Sequence, residues 1–141
     1  MKQIADALEL LTAQHEAISV ELGRVSTVPP SEWAHPLGEL ADQVATHLAI
    51  EAQFLSTHGI AVDVAGHDEL RSALADLLVV DLSSPAAAAQ LARFTEQWTA
   101  HATPQDHNIF VALAELLTPE ALKDVGLQLG AQAEQSRCIA A

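Results

Sequence analysis

Four histidines, His15, His47, His67 and His101, each fall on the apolar stripe of a different stretch with helical periodicity. Glu51 follows His47 by four residues, and Asp106 follows His101 by five. Helix stripes that pack together normally carry Leu, Ile, Val and Phe, because burying an imidazole or a carboxylate without partners is costly. Six such groups aimed at one interior imply something there that satisfies them. A pair of metal ions is the most economical occupant.

The residue types fit that chemistry. Neutral imidazole suits iron, copper or zinc, and a carboxylate can bridge two ions. His47 and Glu51, four apart on a helix, point within about 40° of each other and can address one centre. His-x-x-x-Glu alone is common by chance. The weight lies in the coincidence of one stripe histidine per long helix with two stripe carboxylates.

Five helices must position these groups. The first runs from about Lys2 to Val25 on the stripe Ile4, Leu8, Leu11, His15, Ile18, Leu22, the pattern of a helix packed in a bundle. Pro29 and Pro30 break it. The second begins between Ser31 and Pro36, with Ser31 as its cap or Pro36 as its first residue. Its stripe is Leu37, Leu40, Val44, His47, Glu51, Phe54, His58, and Gly59 follows as the residue past its end. The third runs from about His67 to Leu82 on His67, Leu70, Leu74, Leu77. Ser84-Pro85 starts a fourth that extends to about Leu117, and Thr118-Pro119 starts a short fifth, to about Gln135, carrying Leu122, Val125 and Leu129. Short connections between long helices predict an all-α, antiparallel up-down-up-down four-helix bundle. The fifth helix is expected across one end or side. The 141 residues are expected to form a single domain, residues 1–141.

The fourth helix has a fault in its stripe. Ala87, Leu91, Phe94, Trp98 and His101 are regular, but continuing the spacing gives the polar set Gln105, Asn108, Ala112, Glu115. Shifting by one restores Asp106, Ile109, Leu113 and Leu116. In a regular helix five residues turn about 140° past the start, so His101 and Asp106 would diverge. A π-type turn or kink between Ala100 and Asp106 would realign them, and Pro104, which has no N–H, lies inside that step. With a regular helix, Gln105 faces inward and Asp106 does not.

These motifs, in this order, resemble those of the hemerythrin and HHE-domain family. They are His15 in Gln-His-Glu-Ala-Ile, His47-Leu-Ala-Ile-Glu51, His67 in Gly-His-Asp-Glu-Leu, and His101-Ala-Thr-Pro-Gln-Asp106, spanning about residues 5 to 117. The resemblance implies two iron ions joined by an oxo or hydroxo bridge, with Glu51 and Asp106 bridging them. It implies His15 and His47 on one iron and His67 and His101 on the other. It also implies an open position for dioxygen or peroxide, used for oxygen binding, sensing or peroxide breakdown, with catalase-like or oxidase activity left open. One position departs from the family pattern. Where His-x-x-x-His is frequent on the third helix, Arg71 stands second, and arginine stays protonated. Either an outside ligand fills the gap, or the second iron binds weakly or not at all, or Arg71 acts from behind the ligands.

The remaining residues read more plainly. His58 ends its helix beside Gly59, where a histidine complements the helix dipole. His107 points away from its neighbour Asp106, and His35 precedes Pro36 in a connection. Phe54, Phe94 and Trp98 are core that also keeps the centre dry. Cys138 is an incidental thiol, and as the sole cysteine it excludes an internal disulfide or a thiolate cluster. Six basic against nineteen acidic residues, a formal charge of −13, disfavours nucleic acid and anionic lipid as partners. No apolar run reaches membrane-spanning length, and the opening Met-Lys-Gln-Ile-Ala-Asp has no long apolar stretch. A cytoplasmic protein is expected. Two other readings stay open: a metal-poor helical interaction or regulatory domain on the same scaffold, and a mononuclear or zinc site of His15, His47 and Glu51.

Overall fold

The computed structural model describes the backbone of residues 6–140 and the side chains of residues 6–134. It is all-helical, with no strand among the described residues. The long elements are α1 (Ala7–Ser26), α2 (Ala34–Thr57), α3 (Val64–Val79), α4 (Ala86–Pro104), α5 (Phe110–Leu116) and α6 (Pro119–Ala140). A five-residue π turn, Gln105–Ile109, joins α4 to α5.

Local chemistry explains most of the boundaries. Asp6 caps α1 by accepting from the Glu9 N–H at 2.8 Å, while Glu9 reaches back to the Asp6 N–H, a reciprocal arrangement that satisfies two donors at once. The expected start at Lys2 and the stripe residue Ile4 lie outside the described residues, as does the Cys138 side chain. α2 begins at Ala34, inside the expected interval, though with neither Ser31 as cap nor Pro36 as first residue. Pro30–Glu32 form a short 3-10 turn and Trp33 is the cap. Pro36 falls in the first turn of α2, where its missing N–H has no partner to lose.

The end of α2 matches the expectation. Gly59 adopts φ +71°, and the N–H groups of Gly59 and Ile60 bond back to Ser56 and Leu55 at 3.1 and 2.8 Å. This closing motif requires a left-handed residue, which glycine supplies without strain. α3 starts three residues earlier than His67, because Asp63 accepts from the Gly66 N–H at 3.0 Å. A Cβ on Gly66 would stand 2.3 Å from Asp63 Oδ2, so this cap depends on glycine there. Ser84 and Thr118 each accept an N–H two or three residues on, opening α4 and α6.

The hydrophobic interior is divided in two. One cluster takes Ile18, Leu22 and Val25 from α1, Leu37 to Leu48 from α2, Leu70 to Leu77 from α3 and Ala87 to Ala102 from α4. The other takes Ala7, Leu8 and Leu11 from α1, Ile50, Phe54 and Leu55 from α2, Phe110 and Leu113 from α5, and Leu122, Leu129 and Ala133 from α6. Each fully buried leucine contributes about 1.5–3 kcal/mol. The polar groups singled out by the sequence lie between the two clusters. His15 sits between Leu11 and Ile18, and His101 between Trp98 and Phe110.

The sequence reading of the fifth helix as short is corrected. α6 has 22 residues and packs on both α1 and α2, walling in the second cluster. Its stripe continues past Leu129 to Ala133, but Gly126 and Gly130 dilute the helical signal.

Candidate metal centre

Glu51 is the hub. Its carboxylate has no exposed surface, and it receives groups from α2, α3, α4 and the π turn. Oε2 lies 2.9 Å from His47 Nε2 and 3.0 Å from His101 Nε2. Oε1 lies 3.4 Å from His67 Nε2 and accepts from the Gln105 side-chain amide. The ligand atoms of His15, His47, Glu51 and His101 all lie within 4.8 Å of one another. This buried group could hold a metal ion.

The two histidines on the α1–α2 side are fixed from behind. His15 Nδ1 is 2.9 Å from Asp106 Oδ1. An ionised carboxylate only accepts, so Nδ1 carries the proton and Nε2 presents a bare lone pair. His47 Nδ1 is 2.7 Å from Gln14 Oε1. Neither His15 Nε2 nor His47 Nε2 has a hydrogen-bond partner among the described residues, and both are buried. His47 Nε2 is close to Glu51 Oε2 in distance but outside hydrogen-bonding geometry. Buried nitrogens facing a carboxylate without a bond are what a ligand set looks like around a cation.

Electrostatics point the same way. Burial pushes the His47 imidazole down to about 4, against weaker opposing effects from Glu51. Burial also lowers His15, with Asp106 partly offsetting it. Both are therefore neutral at pH 7 and available as ligands. For Glu51, burial alone would raise the pKa. The hydrogen bonds that it accepts, that from His101 foremost, outweigh it and hold the carboxyl below its ordinary range. A charged carboxylate and neutral imidazoles are the protonation states that metal binding needs.

Aromatic side chains line the group. The Trp98 ring lies 5.5, 5.6 and 5.4 Å from those of His15, His47 and His101, and its Nε1–H donates to Ser19 Oγ. Phe110 stacks on His15 at 5.5 Å and 7°. Of the three aromatics singled out in the sequence, Trp98 touches the histidines directly, Phe94 belongs to the first cluster, and Phe54 packs against His58.

Four placements differ from expectation. The wide turn is present but spans Gln105–Ile109, overlapping the expected Ala100–Asp106 only at its end. Pro104 keeps helical φ −63°, and the i→i−5 bond runs from the Phe110 N–H to the Gln105 carbonyl. Gln105 therefore stays on the stripe, buried against Glu51, while Asp106 is about a third exposed and reaches only His15. Asp106 thus meets the His15 ring from behind and is not in the buried group, where the resemblance implies a bridge. His101 groups with His15 and His47, as well as lying ring to ring with His67 at 5.2 Å. Arg71 is exposed and pairs with Asp68 at 3.4 Å. Leu70 and Leu74 take the inward face of α3 and leave Arg71 outside the buried group.

Of the other histidines, His58 donates through Nδ1 to the Phe54 carbonyl at 2.9 Å and His107 is exposed, as read; His35 is not in a connection but in the first turn of α2, where it pairs with Glu39 on the surface. Gln14 is the residue that sequence reasoning missed. It lies beside the stripe, not on it, and its only signal is adjacency to His15 on the flank that faces α2. No helix among the described residues is long and apolar enough to cross a membrane. No family model matches the chain, and neither curated proteins nor solved structures give a significant match.

Proposed function

We propose that this chain is a hemerythrin-like non-haem iron protein, an antiparallel four-helix bundle extended by α6, that binds dioxygen or peroxide at a buried centre. The observation that carries the reading is the convergence of three imidazole Nε2 atoms on one buried, ionised carboxylate, with the His15 ring grouped beside them and the Nε2 atoms of His15 and His47 buried without a hydrogen-bond partner. In this reading His15, His47, His101 and Glu51 hold the tighter iron. His67 and the second oxygen of Glu51 serve a weaker one, with no place for Arg71. Iron so held supplies redox chemistry toward oxygen species. The protein's part is to keep His15 and His47 neutral, to keep Glu51 charged, and to exclude bulk water with Trp98 and Phe110. Oxygen binding or sensing and peroxide breakdown draw on the same site.

One observation favours a second reading, a single ion, iron or zinc, at the same four residues. Asp106 is engaged with His15 Nδ1, which leaves Glu51 as the one carboxylate of the group. Metal analysis of protein refolded with iron and zinc in competition separates the two. About two irons per chain with charge-transfer absorption that responds to dioxygen or peroxide supports the first. One ion per chain supports the second. Protein that takes up neither metal overturns both and leaves a helical interaction domain.

A further inference from the structure

His15 and His47 stand in the same situation, each with Nε2 buried and unbonded and Nδ1 engaged elsewhere, but their partners differ in charge. His15 is held by a carboxylate from the π turn, and His47 by a neutral carboxamide from α1. The 2.7 Å contact between Gln14 Oε1 and His47 Nδ1 crosses from α1 to α2, and Gln14 is the residue immediately before His15. A buried imidazole has two neutral tautomers. Which one forms is set by the bond made at the nitrogen away from the site.

We propose that Gln14 is a positioning residue for His47, whose side-chain oxygen fixes the Nδ1–H tautomer and so presents the Nε2 lone pair beside Glu51. The role extends the metal-centre reading and rests on it for its consequence in binding. The tautomer itself is a property of the metal-free chain. The Gln14-His15 dipeptide then serves the centre twice: one residue lends a ligand directly, and its neighbour orients the ligand on the adjacent helix. The unlike partners also grade the two imidazoles. A carboxylate behind His15 makes it the more electron-rich donor, and an amide behind His47 makes it the weaker one.

The test uses full-length protein, with Gln14→Leu and Gln14→Glu as variants. The tautomer of His47 is read by proton–nitrogen correlation spectra of the metal-free chain, and affinity by cobalt(II) titration. Metal-free wild type should show His47 as a single Nδ1–H tautomer. Gln14→Leu should show the other tautomer or a mixture and bind cobalt(II) about 10–100-fold more weakly, with helix content unchanged. Gln14→Glu, which still accepts from Nδ1, should restore both. A wild-type His47 protonated at Nε2, or a Gln14→Leu protein with unaltered tautomer and affinity, overturns the role of Gln14. Wild type that takes up no cobalt(II) overturns the metal reading instead, and the tautomer spectra decide Gln14 alone.

Discussion

Asp106 lies 2.9 Å from the Nδ1 of His15, whose other ring nitrogen, Nε2, is buried without a hydrogen-bond partner. The carboxylate that the sequence aligned with His101 therefore acts on a different helix and through a different histidine. Removing it should loosen a ligand without deleting one. Asp106→Ala is expected to weaken metal uptake about 10–100-fold with the number of ions per chain unchanged, measured by equilibrium competition with a chelator. A fall from two ions to one would show Asp106 to be a direct ligand.

Glu51 is fully buried and faced by three imidazoles. Glu51→Gln keeps the shape and removes the charge. Metal uptake should become undetectable. The metal-free chain should keep its helicity by circular dichroism and lose about 1–3 kcal/mol, because a neutral amide does not satisfy the same donors. Retained metal binding would remove Glu51 from the hub.

The metal-free protein should destabilise on mild acidification. His47 titrates at 6.5 when unfolded and about 4 when folded, so between those values the unfolded chain binds more protons and stability rises with pH. His15 is shifted in the same direction, and the lowered Glu51 adds a further loss below its ordinary 4.5. Thermal midpoints should fall steadily from pH 7 to pH 4. For a domain of this size each 1 kcal/mol lost lowers the midpoint by roughly 4 °C. A flat profile over that window contradicts a neutral, buried pair of histidines.

Arg71→His should do almost nothing. The side chain is exposed and pairs with Asp68, so a histidine there cannot reach Glu51 without turning α3. Ion count and spectra should match wild type, and stability should change by less than about 0.5 kcal/mol. A gain of one ion would place residue 71 inside the centre after all.

The four histidines and Glu51 were legible because burial imposes periodicity: a polar residue at a stripe position is visible against Leu and Ile. Position around a helix is less legible at its flanks. Arg71 is four residues after His67, the spacing of a shared face, yet Leu70 and Leu74 claim the interior and leave it outside. Gln14 shows the converse, a residue off the stripe that still reaches a buried ring on the next helix. The irregularity near Pro104 was legible as a one-residue slip, but periodicity gives only the sum of the steps between Trp98 and Leu113. The packing of Gln105 against Glu51 and of Phe110 against His15 decides which turn widens. The length of α6 was hidden by its glycines, which lower helix propensity without changing the face that Leu122, Leu129 and Ala133 bury.

The π turn also bears on how such a chain can change over generations. It holds one residue more than a regular helix needs to pass from Gln105 to Phe110. A deletion of one codon within residues 106–109 would let the helix run straight, with Gln105 still against Glu51 and the Phe110 stripe still inward. What it would remove is the reach of Asp106 to His15. The hold on one ligand and the integrity of the apolar interior are thus separable by a single insertion or deletion, with no core side chain exchanged.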